Sequence, residues 1–135
     1  MKKILVLVFL LPLISQAQHN LSVEINGVRT SNGSIKVAVY NKSDNFLKFD
    51  QVFKADSVKA QKGITRISLN DLPEGEYALA IFHDENNNEK LDTNWLGVPK
   101  EDIGFSNASM KTFGPPPYKE CAFKLINSHE IQISL

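Results

Sequence analysis

Hydrophobic and polar residues alternate with a period of two along most of this chain. The segments LSVEI (21–25) and IKVAVY (35–40) each place three apolar side chains on one face, a pattern typical of half-buried β-strands. The dipeptide Asn32-Gly33 lies between them and favours a type I′ turn, in which both central residues need a positive φ. The pattern therefore predicts a hairpin of these two strands.

Four more strands and one ambiguous segment complete the pattern. ITRISL (64–69) alternates in the same way, and CAFKLI (121–126) with EIQISL (130–135) is predicted to form a closing hairpin. EYALAIF (76–82) is apolar on both faces, which predicts the central and most buried strand. Residues 46–60 fit both periodicities, and we expect a short helical turn that leads into a strand. About seven short strands separated by Gly, Pro and Asn turns indicate an all-β fold, an antiparallel Ig-like or prealbumin-like β-sandwich.

The exception to this pattern is the segment of residues 83–120. Connections of this length in a compact domain are uncommon, and they are usually either functional or disordered. Disordered segments are poor in large apolar residues, whereas this one contains Trp95, Leu96, Val98, Ile103, Phe105, Phe113 and Tyr118. We therefore expect one long ordered loop.

The N-terminal segment is typical of a secretory signal peptide. Two lysines precede the apolar run of residues 4–14, and residues 15–17 (Ser-Gln-Ala) supply the small residues that a signal peptidase reads. The apolar run is too short to span a membrane, which takes about 20 residues. We expect residues 1–17 to be removed and residues 18–135 to form a single exported domain, periplasmic or extracellular, without membrane insertion.

Charge and cysteine content narrow the possible partners and chemistry. Without the signal peptide the chain keeps 13 basic and 15 acidic side chains, a net charge of −2. Nucleic acids and anionic membranes select basic surfaces, so neither is expected as a partner. Cys121 is the single cysteine, which excludes an internal disulfide, and we interpret it as a small buried apolar residue.

Oxygen-bearing side chains are concentrated just after the central strand, in FHDENNNEKLDTNW (82–95). Counted from Asp84, they occupy loop positions 1, 3, 5 and 9, which are Asp84, Asn86, Asn88 and Asp92. Lys90 at position 7 would add its backbone carbonyl. This is the ligand order of a calcium-binding loop, because Ca²⁺ takes six to eight oxygen ligands. We therefore expect a calcium site here.

Two positions depart from the calcium-loop pattern. Position 6, where a sharp turn calls for glycine, is Glu89, and a glutamate in the left-handed conformation costs about 1–2 kcal/mol. Position 12, a bidentate glutamate in such loops, is Trp95, so Glu101 or Asp102 would have to supply the closing carboxylate. Two alternatives stay open: an Asn-rich turn that caps its own backbone, and a transition metal bound through His83.

A longer block makes the chain recognisable. The stretch from Ala80 to Phe123 contains AIFHDENNNEKLDTNWLGVPKEDIGFSNAS and FGPPPYKECAF, and it resembles the exported bacterial family called domain of unknown function 2141. The upstream LNDLPEGEYALAIFHD also fits, so the resemblance covers nearly all of the mature chain. It implies export and a prealbumin-like or Ig-like sandwich, and it supplies no known activity. The family tends to have glycine where this chain has Asn87 and Glu89.

The distinctive residues of the family pattern are carried over by position. They are His83, Asp84, Asn86, Asn88, Asp92, Asn94, Gly97, Pro99, Gly104, Phe105, Ser106, Asn107, Gly114, Pro115 and Pro116.

Three classes of function are compatible with these features. The first, which we favour, is a non-catalytic exported module with a calcium-ordered loop. The second is a module that binds a glycan, a peptide or a cell-envelope protein in a groove lined by Trp95, Phe105, Phe113 and Tyr118. The third is an enzyme such as a hydrolase with His83 as base. It has less support because Ser106 lies in no nucleophile elbow and Cys121 has no evident base.

The exported protein should begin at Gln18, because the cleavage motif ends at Ala17. Intact-mass spectrometry of the exported protein should give the mass of residues 18–135, reduced by one ammonia where Gln18 has cyclised to pyroglutamate. A mass that includes residues 1–17 would contradict this prediction.

Overall fold

The computed structural model of the protein describes Ser15 and residues 17–135, so the expected signal peptide lies almost entirely outside the described residues. The described chain forms eight strands, one short α-helix and two 3-10 turns at Ser43–Asn45 and Phe49–Gln51. The strands and the α-helix are β1 (Gln18–Val28), β2 (Ser34–Tyr40), β3 (Lys54–Lys59), β4 (Gly63–Pro73), β5 (Gly75–Asp84), β6 (Ile103–Phe105), α1 (Tyr118–Cys121), β7 (Phe123–Leu125) and β8 (His129–Ser134). Within this part of the chain, no helix has the length and apolar character that crossing a membrane would require.

The strands form two sheets that enclose one core. The smaller sheet has the order β4-β1-β8, and the larger has the order β3-β2-β5-β6, with β7 paired to the start of β5. The predicted all-β, mostly antiparallel architecture is confirmed. One pair differs, because β8 runs parallel to β1. A chain that crosses from β7 in one sheet to β8 in the other can enter the second sheet in either direction.

Neither predicted hairpin forms, because its two strands belong to different sheets. β1 and β2 are separated in this way, and so are β7 and β8. Gly33 has a φ of 67° and reverses the chain, but Asn32 is not left-handed, so the type I′ turn is absent. An alternating pattern requires one buried face, and a strand satisfies that requirement equally well in either sheet.

The hydrophobic core lies between the two sheets and explains why apolar and polar residues alternate along the strands. The smaller sheet contributes Leu21, Val23, Ile25, Ile67, Leu69 and Ile133. The larger sheet contributes Ile35, Val37, Val39, Tyr77, Leu79 and Ile81. Complete burial of each aliphatic side chain stabilises the fold by about 1.5–3 kcal/mol.

The larger sheet carries a second apolar cluster on its outer face. Its buried members are Tyr40, Ala78, Phe105, Tyr118 and Cys121. Side chains from the segments before β3 and after β6 pack over them, including Phe46, Leu47, Val52, Ala108 and Ala122. β5 is therefore buried on both faces, as its sequence predicts.

The two irregular segments agree with their predictions. A 3-10 turn leads into β3, as expected for residues 46–60. Residues 83–120 contain the end of β5, all of β6 and the start of α1. Some of their apolar side chains cover the outer face of the larger sheet, namely Ile103, Phe105, Ala108 and Tyr118. Others that were expected to order the segment are exposed, namely Trp95, Leu96, Val98 and Phe113.

Gly33 lies against the end of β5. A Cβ atom at Gly33 would stand 1.9 Å from the carbonyl oxygen of Asp84, whereas one at Gly63 would have no neighbour within 4 Å. Both glycines have positive φ angles, 67° and 90°. Of these two glycines, only Gly33 therefore combines a backbone requirement with a close approach.

The variant Gly33→Ala should be less stable than its matched control Gly63→Ala. In each variant the left-handed conformation should lower the free energy of unfolding by about 1–2 kcal/mol. Gly33→Ala should lower it by about 1–3 kcal/mol more, because the backbone at Asp84 has to shift. Urea unfolding followed by circular dichroism measures both. Equal losses would mean that this contact does not constrain the start of the loop.

Candidate functional site

The predicted site begins at Asp84, where β5 ends. The side chain of Asp84 is completely buried. Its Oδ1 accepts the backbone N–H of Asn88 at 3.1 Å, and its Oδ2 accepts that of Glu89 at 2.9 Å. A buried carboxylate needs such donors because it has lost its hydration. Asp84 therefore ties the loop backbone back to the end of the strand.

Asp92 closes the other side of the same loop. The side-chain amides of Asn86 and Asn88 donate to its two carboxylate oxygens at 2.7 and 2.8 Å. The amide oxygens of these asparagines accept the backbone N–H groups of Asn88 at 3.2 Å and of Lys90 at 3.0 Å. The structure thus brings the four predicted side chains into one hydrogen-bonded network, and the Lys90 residue is exposed beside it.

Glu101 is the acidic residue that joins this network from downstream. Its Oε2 accepts the backbone N–H of Asp92 at 3.1 Å. Burial raises the pKa of the Glu101 carboxyl, and repulsion from Asp92 and Asp84 raises it further. Asp102 instead pairs with Arg29 at 2.7 Å. Of the two carboxylates that the sequence left open, the structure brings Glu101 to the loop.

The loop backbone makes the turn that the calcium-loop pattern requires. Glu89 at position 6 has a φ of 63°, and Asn87 at position 4 has a φ of 54°. Both are left-handed, which is uncommon for residues with a Cβ atom. The chain therefore accepts strain of about 1–2 kcal/mol at Glu89 where calcium loops use glycine.

The donor atoms of this network are oxygens, which suit a hard cation. Among the described residues, no three His, Cys, Asp or Glu side chains stand close enough together to hold a metal ion. The amide oxygens of Asn86 and Asn88 would therefore be needed, and each now accepts one backbone N–H group and keeps a second lone pair. An Asn-rich turn that caps its own backbone makes these same hydrogen bonds.

His83 is completely buried and points away from this network. Side chains alternate along β5, so His83 and Asp84 face opposite sides of the sheet. Its Nε2–H donates to the carbonyl of Asn32 at 2.7 Å, while Nδ1 has no hydrogen-bond partner among the described residues and lies 3.7 Å from Glu85 Oε1. The ring holds the segment before β2 against β5, and its burial denies access to a substrate.

The four aromatic residues predicted to bind a ligand fall into two groups. Phe105 and Tyr118 are buried in the outer cluster, whereas Trp95 and Phe113 are 90% and 100% exposed. Phe105 and Phe113 line a groove of about 850 Å³ between the larger sheet and the long loop. Trp95 and Tyr118 are not among the described residues that line it.

Two potential nucleophiles have structural roles. The Ser106 hydroxyl donates to the carbonyl of Cys121 at 2.6 Å and accepts the N–H of Leu79 at 2.9 Å. Cys121 is fully buried, and this burial raises the pKa of its thiol to about 11. The thiol therefore stays protonated at neutral pH, and it packs as the apolar residue that the sequence predicts.

Residues of β2 also hold the loop, and the sequence analysis missed them. Ser34 Oγ donates to Asn87 Oδ1 at 3.2 Å, and Lys36 Nζ lies 3.7 Å from Glu89 Oε1. These contacts arise because Ser34 pairs with Asp84 in the sheet. They could not be found in advance, since strand pairing over 50 residues leaves no local signal.

The family described as an uncharacterized protein conserved in bacteria, DUF2141, matches residues 23–134. The chain belongs to this family. No curated protein and no solved structure matches the chain, so the Ig-like or prealbumin-like class stays a prediction. The left-handed residues Asn87 and Glu89 occupy the positions where the resemblance to DUF2141 implies glycine.

Replacing Glu89 by glycine should stabilise the domain on the order of 1 kcal/mol. Glycine removes about 1–2 kcal/mol of backbone strain and costs somewhat less in added freedom of the unfolded chain. The matched control is Glu85→Gly in the same exposed loop, which lacks a positive φ and should lose about 0.5–1 kcal/mol. Urea unfolding in EDTA measures the stability of both variants. A loss of stability in Glu89→Gly would show that the backbone at this position is not strained.

Proposed function

We propose that this chain is an exported, non-catalytic β-sandwich module whose long loop is ordered by one calcium ion. The ligands are the side-chain oxygens of Asp84, Asn86, Asn88 and Asp92 with the backbone carbonyl of Lys90. The observation that carries this proposal is the left-handed φ of 63° at Glu89. The sharp turn thus lies at position 6, as in calcium loops. The side chains at positions 3 and 5 donate to the carboxylate at position 9, and the carboxylate at position 1 accepts the backbone N–H of position 5.

Glu101 would supply the carboxylate that position 12 lacks once an ion draws it toward Asp84 and Asp92, because these three carboxylates of the described chain do not stand close enough together to hold a metal ion. The four side chains and the Lys90 carbonyl would provide five oxygens, and calcium takes six to eight. One or both carboxylate oxygens of Glu101 would bring the number into this range. Each carboxylate oxygen has two lone pairs, so Asp84 and Glu101 can keep their backbone N–H donors while they bind an ion.

Electrostatics also support a cation at this position. Asp84, Asp92 and Glu101 repel one another, and this repulsion contributes to the raised pKa of Glu101. A divalent cation would reverse the sign of these interactions, because each carboxylate would face a positive charge. It would also offset the strain at Glu89, since strained backbone persists where surrounding contacts hold it in place.

Export is consistent with the affinity that such a site would have. A loop without glycine at position 6 and without a position-12 glutamate should bind calcium with a dissociation constant on the order of 10⁻⁴–10⁻³ M, as extracellular modules do. This range is useful where calcium is millimolar, outside the cytoplasm. The signal-peptide pattern of residues 1–17 supports the same location.

Calcium should raise the melting temperature of residues 18–135 after the protein has been stripped with EDTA. At about 100 times the dissociation constant, the ion would add roughly 2.7 kcal/mol to the free energy of unfolding. Magnesium should have much less effect, because it demands an octahedral site with short bonds. Differential scanning calorimetry in EDTA, calcium or magnesium measures the shift, and elemental analysis measures bound calcium.

Variants separate this calcium effect from general salt effects. Asp92→Asn and Glu101→Gln should each reduce the calcium-induced shift strongly, because each removes a charged ligand and changes little volume. Asp50→Asn is the matched control, since Asp50 is an exposed acid in a 3-10 turn away from the loop. An unchanged wild-type melting curve, with no calcium retained, would show that the loop is an Asn-rich turn.

A further inference from the structure

The outer face of the larger sheet carries a row of three alanines. Ala38 on β2 pairs directly with Ala55 on β3 and with Ala80 on β5. Ala80 in turn pairs with Phe105 on β6. Directly paired residues point to the same side of a sheet, so three methyl groups form a line across three strands that ends at the ring of Phe105.

Larger side chains border this alanine row on both sides. One neighbouring row contains Tyr40, which pairs with Ala78. The other contains Lys36 opposite Phe82, and Phe82 pairs with Ile103. Rows on one face are about 6.6 Å apart, and adjacent strands are about 4.8 Å apart. The alanine row is therefore the floor of a shallow trough about 10 Å long.

Loop residues form the walls of this trough and make it the groove of about 850 Å³. Four of them are large and apolar yet exposed, namely Phe49 at 63%, Val98 at 53%, Met110 at 42% and Phe113 at 100%. Ligand sites have volumes of about 300–1,000 Å³ and mostly apolar linings. Exposed apolar side chains gathered around a concavity mark a binding surface.

Lys36 places a weakly paired positive charge at one point of the groove, whose lining also includes the acids Asp56 and Glu89. Its ammonium lies 3.7 Å from Glu89, whose side chain is 81% exposed, so their attraction is largely screened. The other lysine of the groove, Lys111, is held at 2.7 Å by Glu120. The Lys36 side chain is itself 23% exposed at the groove wall, where a ligand anion can displace Glu89.

We propose that the groove binds a fatty acid, with its alkyl chain along the alanine floor and its carboxylate at Lys36. A methyl-lined floor accommodates a slender chain and buries it without unsatisfied polar groups. A glycan would need several hydrogen-bonding groups, and the floor offers none in its side chains. An extended peptide would pair with a sheet edge, which here is β3 at one end of the row. Such a peptide would lie beside the trough and not along its floor, because Ala38 and Ala80 are on strands paired on both sides. The alanine floor and Lys36 lie on paired strands, so these parts of the site do not depend on calcium in the loop.

Binding is tested by isothermal titration of residues 18–135 with dodecanoate, below its micelle concentration and in EDTA because calcium precipitates fatty acids. We expect saturable binding of one dodecanoate per chain. Dodecanol, which has the same chain without the charge, should bind about tenfold more weakly. Lys36→Met should lower the affinity for dodecanoate about tenfold and leave that for dodecanol nearly unchanged.

Two substitutions test the floor. Ala38→Leu should lower the affinity for both ligands at least tenfold, because its side chain fills the middle of the trough. Ala55→Leu lies at the exposed end of the row, where folding tolerates it more readily, and it should weaken binding in the same direction. Ser68→Leu adds the same side chain at an exposed position of β4 in the other sheet and should leave the affinity unchanged.

Circular dichroism confirms that each variant is folded before titration. Absence of saturable dodecanoate binding to the wild-type chain would overturn the proposal, and so would unchanged binding to folded Ala38→Leu and Ala55→Leu. Equal affinity for dodecanoate and dodecanol would overturn the role of Lys36. Binding of a proline-rich peptide or an oligosaccharide in place of dodecanoate would assign the groove to another class of ligand and overturn the proposal.

Discussion

The burial of β5 on both faces is the constraint from which the rest of the structure follows. Its inner face joins the core between the sheets, which two layers of strands would build in any case. Its outer face is also apolar, so that side of the larger sheet has to be covered. The irregular segments before β3 and after β5 provide the cover. They are ordered because burial of aromatic and aliphatic side chains outweighs the entropy that they lose.

The candidate calcium loop lies where the covering segment leaves β5, and the groove lies where that segment does not fill the space above the sheet. The long loop leaves the sheet at Asp84, and a buried carboxylate at that point has to collect donors from the backbone that follows it. Farther along the same face the loop spans the alanine row without filling it. The contact of Lys36 with Glu89 lies between the two sites and joins the strained turn to the groove wall.

Much of the architecture can be read from the alternation of residues, because one apolar face per strand leaves a local signal. It identified every strand except β6, together with the doubly buried β5 and the long loop in which β6 lies. It could not assign strands to sheets, so the segments around Asn32 and Asn127 were mistaken for hairpin turns. The alternation also could not predict the alanine row, because a shift of one residue in strand register would turn these side chains to the other face.

The candidate metal centre could also be predicted only in its local part. Spacing alone pointed to four side chains that the structure brings into one network of side-chain and backbone hydrogen bonds, because a short loop keeps local neighbours together. The choice between Glu101 and Asp102 was not local. It depends on Arg29, which is distant in sequence and pairs with Asp102. The left-handed turn at Glu89 was visible only as a missing glycine, and the backbone shows that the turn forms without it.

The pairing of β1 with β8 has a consequence for how the chain reaches its final state. β1 finds its two partners in residues 63–73 and 129–134, so the smaller sheet joins segments that are far apart in sequence. Contacts of this range make folding slow, typically milliseconds to seconds. In the export that we propose, β1 would leave the translocon long before β8 is available. The smaller sheet would then be completed only after the last strand has crossed the membrane.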